Sequence, residues 1–300
     1  MQVFRYLGAI FLPLCLVSCS TVPLGLPSIN NGEFRERLPG NFVWHDLISD
    51  DTEGSIRFYS RLFGWEFTEF SPLRYRYWTI NHRGRLIGGM VAQSSLPATR
   101  DVSQWVSLLS VDDPQVARQR VLEAGGEVLR QPVTLGERGT IAVFADPQGA
   151  IFATVTSPNG DPELSSFEGD FFWHELWAAS VEEAADFYSS LSDRVSVEDV
   201  EFASSAKSSV DFQLNVDFQL LVRAGFALAG IRSRPADDLP TIWMPFLRVE
   251  SEQRLAELLE RVPELGGEVL VPTVARPATG FLAVIAGPSG APVALQTWSD

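Results

Sequence analysis

Cysteine is almost missing from this chain of 300 residues: there are two, Cys15 and Cys19, both before position 20. The body of the chain can therefore build neither a disulfide framework nor a thiolate metal site. Histidine is nearly as scarce, at three residues, so no His-rich cluster exists. A glycine-rich phosphate loop and a G-x-S-x-G nucleophile elbow are also missing. Basic charge is short: 23 Lys and Arg stand against 38 Asp and Glu, a formal net charge of −15. So acidic a surface repels phosphate backbones and anionic head groups, which argues against a nucleic-acid partner. The N-terminal apolar run, Tyr6 to Val17, is broken by Gly8 and Pro13. It is too short to span a bilayer and has the length of a signal-peptide h-region.

What stands at the end of that run is more specific. Leu16-Val17-Ser18-Cys19 resembles the bacterial lipobox, in which a signal peptidase cuts before a lipidated cysteine. The resemblance implies a signal peptide over residues 1–18, lipidation of Cys19 and attachment to a membrane through acyl chains alone. Ser20 rather than Asp at the next position implies sorting to the outer membrane of a Gram-negative host, facing the periplasm. Residues 19–40 are rich in Pro, Gly, Asn and Ser, with a charged patch from Glu33 to Arg37. That composition predicts a flexible tether. Beyond it, 45% hydrophobic residues suffice for a large core.

The rest of the chain is an internal repeat. FVWHDL at Phe42 to Leu47 returns as FFWHEL at Phe171 to Leu176, and SIRFYSRLFGW at Ser55 to Trp65 returns, shortened, as AADFYSSL at Ala184 to Leu191. QWVSLLSV at Gln104 to Val111 matches IWMPFLRV at Ile242 to Val249, and AGGEVL at Ala124 to Leu129 matches LGGEVL at Leu265 to Leu270. The closing IAVFADPQGAIFATV, Ile141 to Val155, matches LAVIAGPSGAPVALQ, Leu282 to Gln296. Each copy reads as strand, helix, alternating strands, strand, helix and two more strands. Tyr75, Tyr77 and Thr79 alternate with Arg74, Arg76 and Trp78, as in a half-buried strand. Helical spacing over Pro114 to Ala124 ends at Gly125-Gly126, and Gln253 to Val262 repeats it. The copies are predicted at 41–157 and 170–300, with a polar linker over 158–169.

These residues resemble the vicinal oxygen chelate superfamily of glyoxalase I, bleomycin-resistance proteins and extradiol dioxygenases. The marks are a first strand ending in an acidic residue, the helix F-Y-x-x-L-F-G-W from Phe58 to Trp65, and the hairpin D-P-x-G from Asp146 to Gly149. The resemblance implies an α+β fold of two tandem glyoxalase-like modules. Each would be a pair of βαβββ motifs forming half-barrel sheets around a cleft. In members that bind metal, ligands come from the first and last strands of a module. Counting from the motifs places those positions at Trp44 and Ala153 in the first copy, and at Trp173 and Ala294 in the second. An indole or a methyl offers a divalent ion no lone pair, so neither a metal nor another cofactor is expected.

His45 and His174 each stand one residue from a family position. Alternation along a strand turns them to the opposite face, toward the helices, unless a bulge shifts the register. His82 lies in a predicted turn, His82-Arg83-Gly84-Arg85, and is expected to be solvated. The cleft face then presents Trp44, Asp46 and Ile48 beside Trp173, Glu175 and Trp177. Asp46 and Glu175 could form a general acid and base near the pseudo-twofold axis. They could equally be structural, bonded to backbone or to arginines of the neighbouring module. Two readings follow. One is a non-catalytic binding module whose cleft residues Trp44, Asp46, Trp173 and Glu175 hold a small molecule or a protein partner. The other is a metal-independent lyase or isomerase using Asp46 and Glu175, with metal-dependent chemistry reopened if the histidines face inward. Raised carboxyl pKa values would favour the enzyme, and acids paired to arginine the binder.

Overall fold

The computed structural model describes residues 25–71, 75–164, 167–199, 217–237, 239–276 and 280–298. The stretch expected to be a signal peptide, Cys19 and Arg74 lie outside them. In the first copy β1 (Phe42–Ser49) leads into α1 (Thr52–Phe63), then β2 (Glu66–Phe70), β3 (Tyr77–His82) and β4 (Arg85–Ala92). A second such unit follows: β5 (Gln104–Ser110), α2 (Pro114–Glu123), β6 (Glu127–Thr134), β7 (Thr140–Ala145) and β8 (Ile151–Thr156). The second copy repeats this plan with β9 (Phe171–Ala178), α3 (Val181–Ser190), β10 (Ser196–Asp199), β11 (Phe218–Arg223) and β12 (Phe226–Ser233). It closes with β13 (Ile242–Val249), α4 (Glu252–Glu264), β14 (Glu268–Arg276), β15 (Gly280–Ala286) and β16 (Pro292–Thr297).

Local chemistry sets the helix ends. The Asp51 carboxylate accepts from the Gly54 amide at 2.8 Å at the start of α1, and Gly64 ends it at φ 77°. Asp113 caps α2 ahead of Pro114 at its first position, and Ser251 caps α4. Each copy makes one eight-stranded mixed sheet, ordered β2-β3-β4-β1-β5-β8-β7-β6 and β10-β11-β12-β9-β13-β16-β15-β14. Both are glyoxalase-like pairs of βαβββ units, and neither closes into a barrel.

The sheets meet through their helix-bearing faces, and each of the two cores between them draws on both copies. One joins α1 residues Phe58, Tyr59 and Leu62 to Leu255 and Leu258 of α4, with Val293 and Leu295 of β16. The other joins Val121 of α2 and Phe152 of β8 to Phe187 and Tyr188 of α3, with Trp243 of β13. The helix-free faces carry separate apolar layers, one around Trp44, Tyr77, Leu108 and Ala153, the other around Trp177, Phe246, Val284 and Ala294.

The stretch expected to be a flexible tether, residues 19–40, is corrected over its described part. From Gly25 on it lies against the helix-free face of the first sheet. Leu26 bridges Gly136 and its amide donates to the Leu135 carbonyl at 3.0 Å. Ile29 is fully buried in the layer around Trp44. The Asn30 amide donates to the carbonyls of Asn159 and Asp161, both at 3.1 Å. Two buried apolar side chains at about 1.5–3 kcal/mol each hold a strap that composition alone reads as solvated.

Candidate functional site

Across the helix-free face of the first sheet, Trp44 pairs with Leu108 and Leu108 with Ala153, so β1, β5 and β8 present a row Trp-Leu-Ala. The second sheet presents Trp173, Phe246 and Ala294 in the same row of β9, β13 and β16. These rows hold the positions that the resemblance marks as metal ligands, and none of their side chains offers a metal ion a lone pair. Among the described residues no three His, Cys, Asp or Glu side chains are placed to hold a metal ion. The residues present do not fit the superfamily's metal.

The acids sit two residues along each strand. Asp46 faces Val106 on β5 and Gly89 on β4; Glu175 faces Met244 on β13 and Gly230 on β12. Gly89 is needed for space: a Cβ there would meet the Tyr77 hydroxyl and the Asp46 carboxylate. Both acids take an N–H from the tryptophan two residues before them, at 2.9 Å from Trp44 and 3.3 Å from Trp173. Asp46 also accepts from the Tyr77 hydroxyl at 2.7 Å and pairs with the Arg138 guanidinium at 3.6 Å. Arg138 is fully buried and donates to the Pro27 carbonyl of the strap at 3.0 Å and to Tyr77 at 2.7 Å. Its guanidinium lies 4.6 Å from the Trp44 ring centre. Burial pushes the Tyr77 hydroxyl well above its ordinary pKa.

Glu175, 1% exposed, pairs with Arg276 at 2.8 Å and stands 4.0 Å from Arg232. Arg276 donates in turn to Gln296 at 2.9 Å. The expectation of arginines from the neighbouring module is corrected: Arg138 belongs to the first copy, as Asp46 does, and Arg232 and Arg276 to the second, with Glu175. The two acids therefore do not form a pair on the axis. Each has its own sheet face and its own cationic partners.

The axis belongs to the histidines. His45 and His174 point to the helix side, where their Nε2 atoms meet at 2.7 Å with ring planes 6° apart. His45 lies on Phe171, 3.8 Å between ring centres, and His174 on Phe42 at 4.5 Å. Burial, slightly offset by the Ile87 carbonyl, lowers the His45 pKa to about 3. Burial and then the neighbouring His45 charge hold His174 well below its usual range. Both rings are neutral at physiological pH. The Ile87 carbonyl at 3.5 Å favours the proton on Nδ1 of His45, which leaves its Nε2 to accept from His174.

His82 corrects a further expectation: it is buried, and its Nδ1 lies 2.5 Å from Asp170. The turn after it does form, with Arg83 at φ 52° and Gly84 at φ 78°. Sequence reasoning also missed Arg138, Tyr77, Arg232 and Arg276. The one available signal was the need of buried acids for cations.

Two layers of paired βαβββ units with back-to-back helix faces define the class of protein. Residues 41–154 match the Glyoxalase/Bleomycin resistance protein/Dioxygenase superfamily, and the first module is a domain of it. The anthracycline biosynthesis protein DnrV of Streptomyces peucetius is 34% identical over 163 residues. That match covers 50% of this chain and 59% of DnrV, so the chain spans little more than half the length of that relative. The protein CFP32 of Mycobacterium bovis is 22% identical over 265 residues, covering 86% of this chain and 94% of its own. The Mn(II)-bound glyoxalase from Novosphingobium aromaticivorans shares the fold with a TM-score of 0.59 at 13% identity, over 86% of this chain and 82% of that one. The 2,2',3-trihydroxybiphenyl 1,2-dioxygenase of Sphingomonas wittichii RW1 gives 0.56 at 14%, over 88% and 91%.

Proposed function

We propose that this chain is a binding module of the glyoxalase-like fold, held at the cell envelope by a lipid on Cys19, and that it acts without metal chemistry. The observation that carries the reading is the pair of rows without a lone pair for a metal ion, Trp44-Leu108-Ala153 and Trp173-Phe246-Ala294, where the superfamily would place its ligands. A catalytic role for the acids is disfavoured by their partners: Asp46 is tied to Trp44, Tyr77 and Arg138, and Glu175 is buried against Arg276. The strap residues Leu26 and Ile29 further fill the first face. The test is elemental analysis of the full-length chain, purified in mild detergent without chelator and exposed to Zn²⁺, Ni²⁺, Mn²⁺ and Fe²⁺. Far less than one ion per chain is expected. Close to one tightly held ion, lost on Asp46→Ala or His45→Ala, would overturn the reading.

A further inference from the structure

The two helix-side cores are related by the repeat, but they are not filled alike. In the core around α1, Tyr59, Trp105 and Phe171 form a nest: Tyr59 and Trp105 meet edge to face at 5.6 Å, Trp105 and Phe171 at 5.2 Å. The counterparts Tyr188, Trp243 and Phe42 repeat that nest, at 5.0 and 4.7 Å. Among the described residues a fourth ring completes only the first. Trp65 lies parallel to Tyr59 at 4.9 Å, edge-on to Trp105 at 6.1 Å, and its Nε1 donates to the Gly169 carbonyl at 2.9 Å.

The strand register identifies what replaces it. Phe67 pairs with Ile80 as Val197 pairs with Leu221, and counting back two residues sets Trp65 against Val195. Along the helices, Phe63 corresponds to Ser192, and Leu258 of α4 corresponds to Ala117 of α2. All three exchanges remove volume on the same side. There the structure has a cavity of about 280 Å³, lined by Phe42, Tyr188 and Trp243 together with Ala117, Ser192 and Val195. Gly40 lines it too. It stands two residues before Phe42 as Gly169 stands before Phe171, at φ 95° against 81°. Its amide donates to Ser110 at 2.9 Å as that of Gly169 does to Arg248 at 2.9 Å. The carbonyl that receives the Trp65 N–H thus has a counterpart at the cavity wall. Ion pairs of Arg120 with Asp193 at 2.6 Å and Arg194 with Asp112 at 3.8 Å rim the opening.

We propose that this cavity between α2 and α3 binds a small planar aromatic molecule with a ring N–H, of the size of indole, in the place where the first module keeps the side chain of Trp65. The volume suits a bicyclic fragment, near the lower bound of about 300–1,000 Å³ for ligand pockets. The proposal gives a ligand class to the binding role above and rests on that reading, while its site is separate from both sheet faces and borders the histidines through Phe42, on which His174 lies.

Indole is titrated into the full-length chain in detergent by calorimetry, with 1-methylindole as the analogue lacking the donor. One saturable site is expected, and about fivefold weaker binding of 1-methylindole from the lost hydrogen bond. Val195→Trp should supply the missing indole, raise the thermal midpoint and abolish binding. Ala117→Leu, the milder filling, should weaken it at least about tenfold, because a leucine at this position occupies the same space. In the mirror experiment, Trp65→Ala should open a second site, seen as two indoles per chain. Absence of saturable indole binding would overturn the proposal, as would binding that neither filling variant changes. Indole binding equal to that of 1-methylindole would overturn the role of Gly40. A bound metal ion would sink the metal-free reading and leave the indole result intact, so the two failures are distinguishable.

Discussion

The His45–His174 contact should make the protein acid-sensitive by a calculable amount. In the folded state both rings are buried and neutral, with the His45 pKa lowered to about 3 and that of His174 lowered as well. In the unfolded chain each takes a proton near the ordinary value of about 6.5. The unfolded state therefore binds more protons as pH falls, and stability present above pH 6.5 is lost progressively toward pH 3. Each histidine costs about 1.4 kcal/mol per pH unit well below 6.5, so the pair removes about 4 kcal/mol between pH 8 and pH 5. Asp146 and Asp161, whose pKa values burial raises, gain on acidification and oppose the trend. They are common to all variants and cancel in the comparison. The assay is urea unfolding from pH 8 to pH 5, stopping above the sequence pI of about 4.6. His174→Phe, which can stack on Phe42, should show about half the pH-dependent loss, and His45→Phe/His174→Phe almost none. A wild type and double variant that decline in parallel would refute the reasoning.

Arg138→Met should destabilise by about 3–5 kcal/mol, because it leaves Asp46 beside a buried tyrosine without its cation; urea midpoints check this, and an unchanged midpoint would show that Asp46 needs no partner. A fragment ending at residue 160 should aggregate or dimerise, since both helix-side cores lose half their members; gel filtration and a melting curve decide, and a monomer with a sharp transition would count against the pairing. Replacing Cys19 with alanine should release the protein from the membrane fraction, and equal retention of wild type and variant would end the lipid-anchor proposal.

Much of this architecture was legible because repeats and alternation are local properties of a chain. Phe42 to Leu47 and Phe171 to Leu176 share a pattern, and alternation alone sends Trp44 to one face and His45 to the other. What was not legible depends on residues distant in sequence. Leu26 and Ile29 are two apolar residues in a Pro- and Gly-rich stretch, too few to show a period, and only the first sheet face gives them a place. His82 looks like a turn residue until Asp170, from the other copy, comes within 2.5 Å of it. Arg138 lies between Gly136 and Gly139, with φ of 61° and 88°, in a loop whose sequence signals only a bend. The strand bulges at Phe42/Trp44 and Phe246/Leu247 place Phe42 and Phe171 beside the histidines, and no single-sequence pattern marks them.

The crossed arrangement of the cores also sets an order of assembly. The core around α3 draws its buried members from Phe42 to Trp243, whereas the one around α1 needs Val293 and Leu295. A chain emerging N-terminus first lets α1 pack early on Trp65, Trp78 and Trp105 of its own copy, yet the other wall of that core, Leu255 and Leu258 of α4 with Val293 and Leu295 of β16, arrives last. Closing contacts over some two hundred residues of sequence is slow, because the chain pays loop entropy before any burial repays it. The side of Phe58 that meets Gly267 and Gly287 therefore stays uncovered until the C-terminal strands are made. β16 acts as the keystone that ends this exposure, and nascent chains that stop short of it are the ones most prone to clump.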